Sequence, residues 1–185
     1  MLLNFVFMIE TLISSKTRIK LLLKFFLNSK TTSYLRNLES EFGESTNGIR
    51  VELNRLEEAG FLSSDFEGNK KMFRANTRHP LFHELHSIVM KYAGIDKIIE
   101  FVIKGLGKVE KVFLTGEFAR GLDSDVVDLI LIGDIDTRYL VELIEKAEPM
   151  IHRKIRYLIF STEEYENNKL STIKPEPLLL WSKES

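Results

Sequence analysis

The chain contains no cysteine. That excludes a disulfide scaffold, a thiolate zinc site and a cysteine nucleophile, and it suits a cytoplasmic protein. Neither sign of charge dominates: 26 lysines and arginines face 27 acidic residues, for a formal net charge of −1. A globally basic nucleic-acid binder is therefore excluded, and any such contact must come from a local basic surface. The balance is uneven along the chain. Through Met90 there are 12 basic and 10 acidic residues, net +2, and from Lys91 onward 14 and 17, net −3. No apolar run approaches the about 20 residues that cross a membrane. Met1 to Ile9 is apolar but is interrupted by Glu10, and it lacks the basic start and small-residue cleavage site of a secretory signal. It reads as a helix start that packs on the body or on a partner subunit, with Met8 as an alternative start. The chain is 185 residues long, 44% hydrophobic and 29% charged, which is ordinary for one large or two small globular domains.

The first half has helical periodicity. Lys16 to Leu27 spaces Ile19, Leu22, Leu23 and Phe26 along one face, with Ser15 as a cap and Lys16, Lys20 and Lys24 as a solvated row. A second helix is predicted from about Ser33 to Phe42, burying Tyr34, Leu35, Leu38 and Phe42. After Gly43-Glu44, Ser45 can cap a third helix that buries Ile49, Leu53 and Leu56, runs to Ala59 and stops at Gly60. A hairpin follows, with strands at 61–65 and 71–75 and a turn at Glu67-Gly68-Asn69-Lys70.

Helix, helix, turn, helix, hairpin is the order of a winged helix-turn-helix. Residues 41–76, with Leu53-Asn54-Arg55-Leu56-Glu57-Glu58-Ala59-Gly60-Phe61-Leu62 at their centre, resemble the winged helices of arsenic-responsive-repressor-like regulators. On the third helix Asn47, Arg50, Val51 and Asn54 gather opposite the apolar face. Asn and Arg make bidentate contacts to adenine and guanine edges in the major groove. Ser45 and Thr46 at the helix start could hold a phosphate on backbone N–H groups. Lys70, Lys71 and Arg74 on the wing suit flanking backbone, while Glu52, Glu57 and Glu58 repel DNA from the sides and far end. These residues point to double-stranded DNA as a partner. The competing reading is a winged helix used for protein contact, with the same side chains merely solvated.

Pro80 opens a helix over 81–92 with Leu81, Leu85, Ile88 and Val89 on one side. His83 and His86 lie three apart on it, without a third metal ligand nearby, and read as solvated or capped. A further helix over 95–103 leads through Gly105 and Gly107 to a strand at Lys111 to Gly116.

From Val112 to Gly133 the pattern is strand, Gly116-Glu117, Ala119-Arg120-Gly121, Ser124-Asp125, Asp128-Leu129 and a terminal glycine. It resembles the minimal nucleotidyltransferases of the polymerase-beta-like superfamily. With His79-Pro80-Leu81-Phe82-His83-Glu84-Leu85 upstream, the whole is similar to regulators that fuse a winged helix to such a domain. The resemblance implies an α+β chain: a winged helix-turn-helix over 12–78, a helical linker over 79–107, an α/β nucleotidyltransferase-like domain with a small mixed sheet over 108–168, and an extension over 169–185.

Nucleotidyl transfer needs two carboxylates on one strand face to hold divalent metals, usually with a third from a neighbouring strand. Asp125 and Asp128 are three apart, which puts them on opposite faces of a regular strand. With Asp128 in the second family position, Val126 fills the first, and only a bulge would recover Asp125. Glu117 replaces the serine that seats the triphosphate, and Arg156 stands where a third carboxylate is expected. Gly116, Glu117, Asp125 and Asp128 thus read as a vestigial nucleotide site, with no catalytic residue, no metal and no cofactor, Mg²⁺ entering only if the site is active. The expected function is a cytoplasmic, dimeric DNA-binding regulator whose second half dimerises or senses a nucleotide or small-molecule effector. The residues 1–13 are the cheapest dimer contact, and no membrane is involved. The alternatives are a working nucleotidyltransferase acting on a small molecule or protein, and an antitoxin-like partner of a helical toxin.

Overall fold

The computed structural model describes residues 2–106, 108–167 and 169–183, so Met1 and Gly107, which the sequence places on the way into a strand, lie outside the described residues. It is a mixed α+β fold with two small sheets. No helix among the described residues is long and apolar enough to cross a membrane.

Helix α1 (Leu2–Leu12) comes first, then α2 (Lys16–Leu22), which continues into a π-helical turn at Leu23–Leu27. Ser15 caps α2 by accepting the Arg18 N–H, and Ile19, Leu22, Leu23 and Phe26 are buried as their spacing requires. Strand β1 (Thr32–Tyr34), α3 (Leu35–Phe42) and α4 (Thr46–Glu58) follow, then the hairpin β2 (Leu62–Glu67) and β3 (Lys70–Ala75). The three strands lie in the order β1-β3-β2, all antiparallel. α4 starts at Ser45, whose hydroxyl accepts the Gly48 N–H, and buries Ile49, Leu53 and Leu56. α1 turns Ile9 into the core but leaves Phe7, Met8 and Leu12 exposed.

The second half comprises α5 (Phe82–Ala93), α6 (Ile95–Gly105), β4 (Val109–Thr115), α7 (Gly116–Ala119), β5 (Val126–Gly133), α8 (Thr137–Ile151), β6 (Lys154–Phe160), α9 (Thr162–Glu166), a 3₁₀ turn at Lys169–Thr172 and β7 (Leu178–Ser182). Its sheet runs β6-β5-β4-β7, with β5 and β6 parallel and the other pairs antiparallel. One sheet face carries Val127, Leu129 and Leu131 into the main core, which is continuous with that of the first half. The other carries Phe113, Ile130 and Ile132 into a smaller cluster with Tyr165, Leu170 and Ile173.

Several sequence expectations are corrected. Ser33 and Tyr34 do not begin the second helix. They form β1, because Ser33 pairs with Phe73 and Tyr34 with Met72. Lys24 is not part of a solvated row but is 4% exposed, because residues 119–121 pack over it. Its Nζ donates to Arg120 O at 2.9 Å, and Asn28 Nδ2 donates to Ala119 O at 3.3 Å. Leu81 is exposed ahead of α5, and Phe82 and Tyr92 are buried instead. Within the extension over 169–185, Leu178, Leu179 and Trp181 dock on the body, pairing with Leu114, Phe113 and Val112 of β4. α8 carries Pro149 within it and ends at Ile151.

Candidate nucleic-acid interface and candidate nucleotide site

α4 presents Asn47, Arg50, Val51 and Asn54 to solvent, opposite its buried face. The hairpin turns back through Gly68-Asn69 and brings its second strand beside the middle of α4. Between them lies a cleft of about 610 Å³, lined by Arg50 and Asn54 from α4 and by Asn69, Lys70 and Lys71 from the hairpin. Tyr34 and Arg36 close its third side. Four of the expected DNA-reading residues, Arg50, Asn54, Lys70 and Lys71, are therefore brought together. Ser45, Thr46 and Asn47 sit at the start of α4 and do not line the cleft, and the Ser45 hydroxyl is engaged in the helix cap. Arg74 is not brought in either: it pairs with Asp65 across the hairpin.

Tyr34, Arg36 and Asn69 escape a reading of helical faces. Their signal lies in the β-forming triplet Thr32-Ser33-Tyr34 before an amphipathic helix, and in a Gly-Asn hairpin turn. Lys70 Nζ lies 4.5 Å from the centre of the Tyr34 ring, a cation–π distance that holds the lysine at the cleft.

The acidic residues expected to oppose DNA are largely neutralised. Glu52 is buried rather than lateral, with Arg18 Nε at 2.7 Å and Arg55 at 3.3 Å. Its burial raises the carboxyl pKa, but the Arg18 and Ser15 hydrogen bonds and the charges of Arg18 and Arg55 outweigh it, leaving the pKa below the ordinary value. Glu57 is held below the ordinary range by the Lys71 hydrogen bond first and the Ser64 hydrogen bond second. Lys71 Nζ is 2.6 Å from Glu57, so its charge is partly spent inside the protein. Glu57→Gln is expected to release it. Affinity for any duplex should rise, and the slope of log K against log salt should steepen by up to about 0.9, one phosphate contact. A fluorescence-anisotropy titration at four salt concentrations reads this, and an unchanged slope would mean that Lys71 makes no phosphate contact.

In the second half, Thr115 pairs with Asp128 where β4 turns into α7. Gly116 has φ +67, and a Cβ there would stand 2.2 Å from Asp128 Oδ2, so only glycine fits beside this carboxylate. The other oxygen, Asp128 Oδ1, accepts from Arg156 Nε at 2.6 Å, across the register pair between β5 and β6. That hydrogen bond, with the Asp128 charge, raises the Arg156 pKa further. Glu117 is exposed and pairs with Arg120 at 2.9 Å. Asp125 precedes β5, exposed; its carbonyl accepts the Lys154 N–H, and it borders a different hollow with Glu148, His152 and Lys154.

The bulge that would recover Asp125 is absent: the β5–β6 register is unbroken from Val126 to Ile132. Val126 is two residues from Asp128 and takes its side of the sheet. No group of three or more acidic or histidine side chains is placed to hold a metal among the described residues. Asp128 is held by Arg156 and Asp125 borders a different hollow, and a carboxylate paired with an arginine is a poor ligand for a divalent cation. His86 Nδ1 is 2.7 Å from Phe26 O, committed to the backbone of the π turn.

No family model matches the sequence, and no curated protein matches it. Solved structures give low-scoring likenesses over about half of the chain. A mutant form of the toxin–antitoxin complex MntA–HepT is 14% identical over 48% of this chain and 73% of its own, with a TM-score of 0.38. A protein of Sulfolobus solfataricus described as a nucleotidyltransferase is 19% identical over 50% and 80%, TM-score 0.36. The tri-AMPylated HEPN toxin of Shewanella oneidensis in complex with its MNT antitoxin is 14% identical over 49% and 71%, TM-score 0.36. All belong to the nucleotidyltransferase or toxin–antitoxin class, and likenesses of this size leave the reading of this chain to its own geometry.

Proposed function

We propose that this chain is a duplex-DNA-binding regulator: residues 12–78 form a winged helix-turn-helix, and the nucleotidyltransferase-like second half carries out no nucleotidyl transfer. The observation that carries this reading is the cleft in which Arg50 and Asn54 of α4 meet Lys70 and Lys71 of the hairpin. In it α4 enters the major groove, Arg50 and Asn54 contact base edges, and Lys70, Lys71 and Arg36 contact phosphates. Ser45, Thr46 and Asn47 approach the backbone at the helix start, and Arg74 reaches a flanking phosphate only by leaving Asp65. The second half, with Gly116, Glu117, Asp125 and Asp128 as its vestigial site, dimerises or senses an effector.

Arg50→Ala and Asn54→Ala are each expected to lose about 1–3 kcal/mol of discrimination between sites. Lys70→Ala should weaken binding to all duplexes alike and flatten the salt dependence. Competition binding against selected and scrambled duplexes separates the two effects, and equal losses on both duplexes for all three variants would refute base reading.

The second reading is a working nucleotidyltransferase or an antitoxin-like partner, the class of the solved structures named above. Asp128 held by Arg156 weighs against transfer, since two-metal chemistry needs converging carboxylates. Incubation with labelled nucleoside triphosphates, Mg²⁺ and cell protein tests it: label on any acceptor would put transfer ahead of regulation.

A further inference from the structure

The sheet of the second half has two edges, β6 and β7. The start of β7, at Leu178 and Leu179, borders a hollow of about 500 Å³ shared with Asn28, Lys30 and Thr31 of the first half. β6 is different: among the described strands it pairs with β5 alone. Seven residues, Lys154-Ile155-Arg156-Tyr157-Leu158-Ile159-Phe160, run there with no proline, glycine or register break, and Leu158 is 52% exposed. Long, regular, apolar edges attract other strands, and natural proteins usually blunt or cover them.

We propose that β6 pairs edge to edge with β6 of a second copy of this chain, antiparallel about Tyr157, joining the two four-stranded sheets into one. The strand is complementary to itself in that register. Arg156 stands opposite Leu158 of the second copy and Lys154 opposite Phe160, while Ile155 meets Ile159 and Tyr157 meets its own copy. All seven residues are opposed by a residue of the second copy, with the Ile155 N–H exchanging Glu148 Oε1, to which it donates at 2.9 Å, for the backbone of the other strand, and no like charges face each other. Centring the pair on Arg156 would set that arginine against itself, and centring it on Ile155 would set Lys154 against Arg156. Charge therefore excludes those two registers, as directly opposed like charges destabilise a strand pair, and the pair centred on Tyr157 is the one that uses the full length of β6. Edge pairing does not depend on DNA binding. It moves the dimer contact from α1, the contact expected from the sequence, to β6.

The test is a charge pair at one exposed position, read by sedimentation equilibrium of the full chain, with circular dichroism to verify the fold. The wild-type chain is expected to be dimeric at micromolar concentration. Leu158→Lys would oppose Arg156 of the other copy twice per dimer and should raise the dissociation constant by roughly tenfold or more. Leu158→Glu would meet the same arginine with opposite charge and should keep the dimer. Leu12→Lys, on the exposed side of α1, should also keep it. A monomeric wild type leaves the edge to a strand of some other protein and overturns the proposal. So does equal dissociation by Leu158→Lys and Leu158→Glu, and so does dissociation by Leu12→Lys alone.

Discussion

Lys24→Met is expected to destabilise the whole fold by about 3–5 kcal/mol, the usual cost of removing one partner from a buried ion pair. Lys24 Nζ is 2.7 Å from Glu41 Oε2, an ion-pair approach rather than an aligned hydrogen bond, and it donates to Arg120 O at 2.9 Å. Methionine keeps much of the aliphatic stem but leaves Glu41 with Arg120, at 3.9 Å, as its remaining cation. The damage is not local, since Lys24 belongs to the first half, Glu41 to α3 and Arg120 to the turn after α7. For a chain of this size the loss corresponds to a fall in Tm of roughly 10 °C. The double variant Lys24→Met/Glu41→Gln removes both charges and should recover part of the loss. Urea denaturation measures all three proteins. A Lys24→Met loss within about 1 kcal/mol, the usual ceiling for a surface pair, would mean that the pair is solvated.

Gly121→Ala should cost as much, for a steric reason. Its φ of +72 is unfavourable for alanine, and a Cβ there would lie 2.6 Å from Lys24 Cα and 2.7 Å from Lys24 O. Both contacts are backbone, so no rotamer change relieves them. Gly43 has nearly the same φ, +63, with nothing within 4 Å of its Cβ. Gly43→Ala therefore isolates the conformational cost, about 1–2 kcal/mol. Gly121→Ala should exceed it by at least about 2 kcal/mol, because the turn must separate from the π-helical segment. Equal losses for the two variants would show that the halves are not tightly apposed at this point.

These two sites also mark where the sequence stops being legible. Local rules locate α4, since Ser45 caps it and Ile49, Leu53 and Leu56 repeat on one face. They likewise locate the hairpin and α9, whose capping box joins Ser161 and Glu164. The α4 surface carrying Arg50 and Asn54 follows from the same periodicity. The burial of Lys24 does not, because its carbonyl partner is 96 positions away in the chain. β1 and β7 are each defined by a distant strand, β3 and β4, and although Thr32-Ser33-Tyr34 has strand-forming residues, neither that triplet nor a tail with two prolines announces its partner. At the start of β5 the spacing of Asp125, Val126 and Asp128 is readable from sequence alone. The contact of Arg156 with Asp128 is not, since it depends on the parallel register of β5 and β6 across α8.

The central claim is that α4 and the hairpin read duplex DNA. The most direct measurement selects duplexes from a random pool with the intact protein, then titrates the enriched sequence and its scrambled counterpart at fixed salt. The account predicts at least about a thousandfold tighter binding of the enriched duplex, the low end for specific binding, and loss of most of that ratio in the Arg50→Ala/Asn54→Ala double variant. No enrichment, or equal binding of both duplexes by the wild-type protein at low salt, would contradict it.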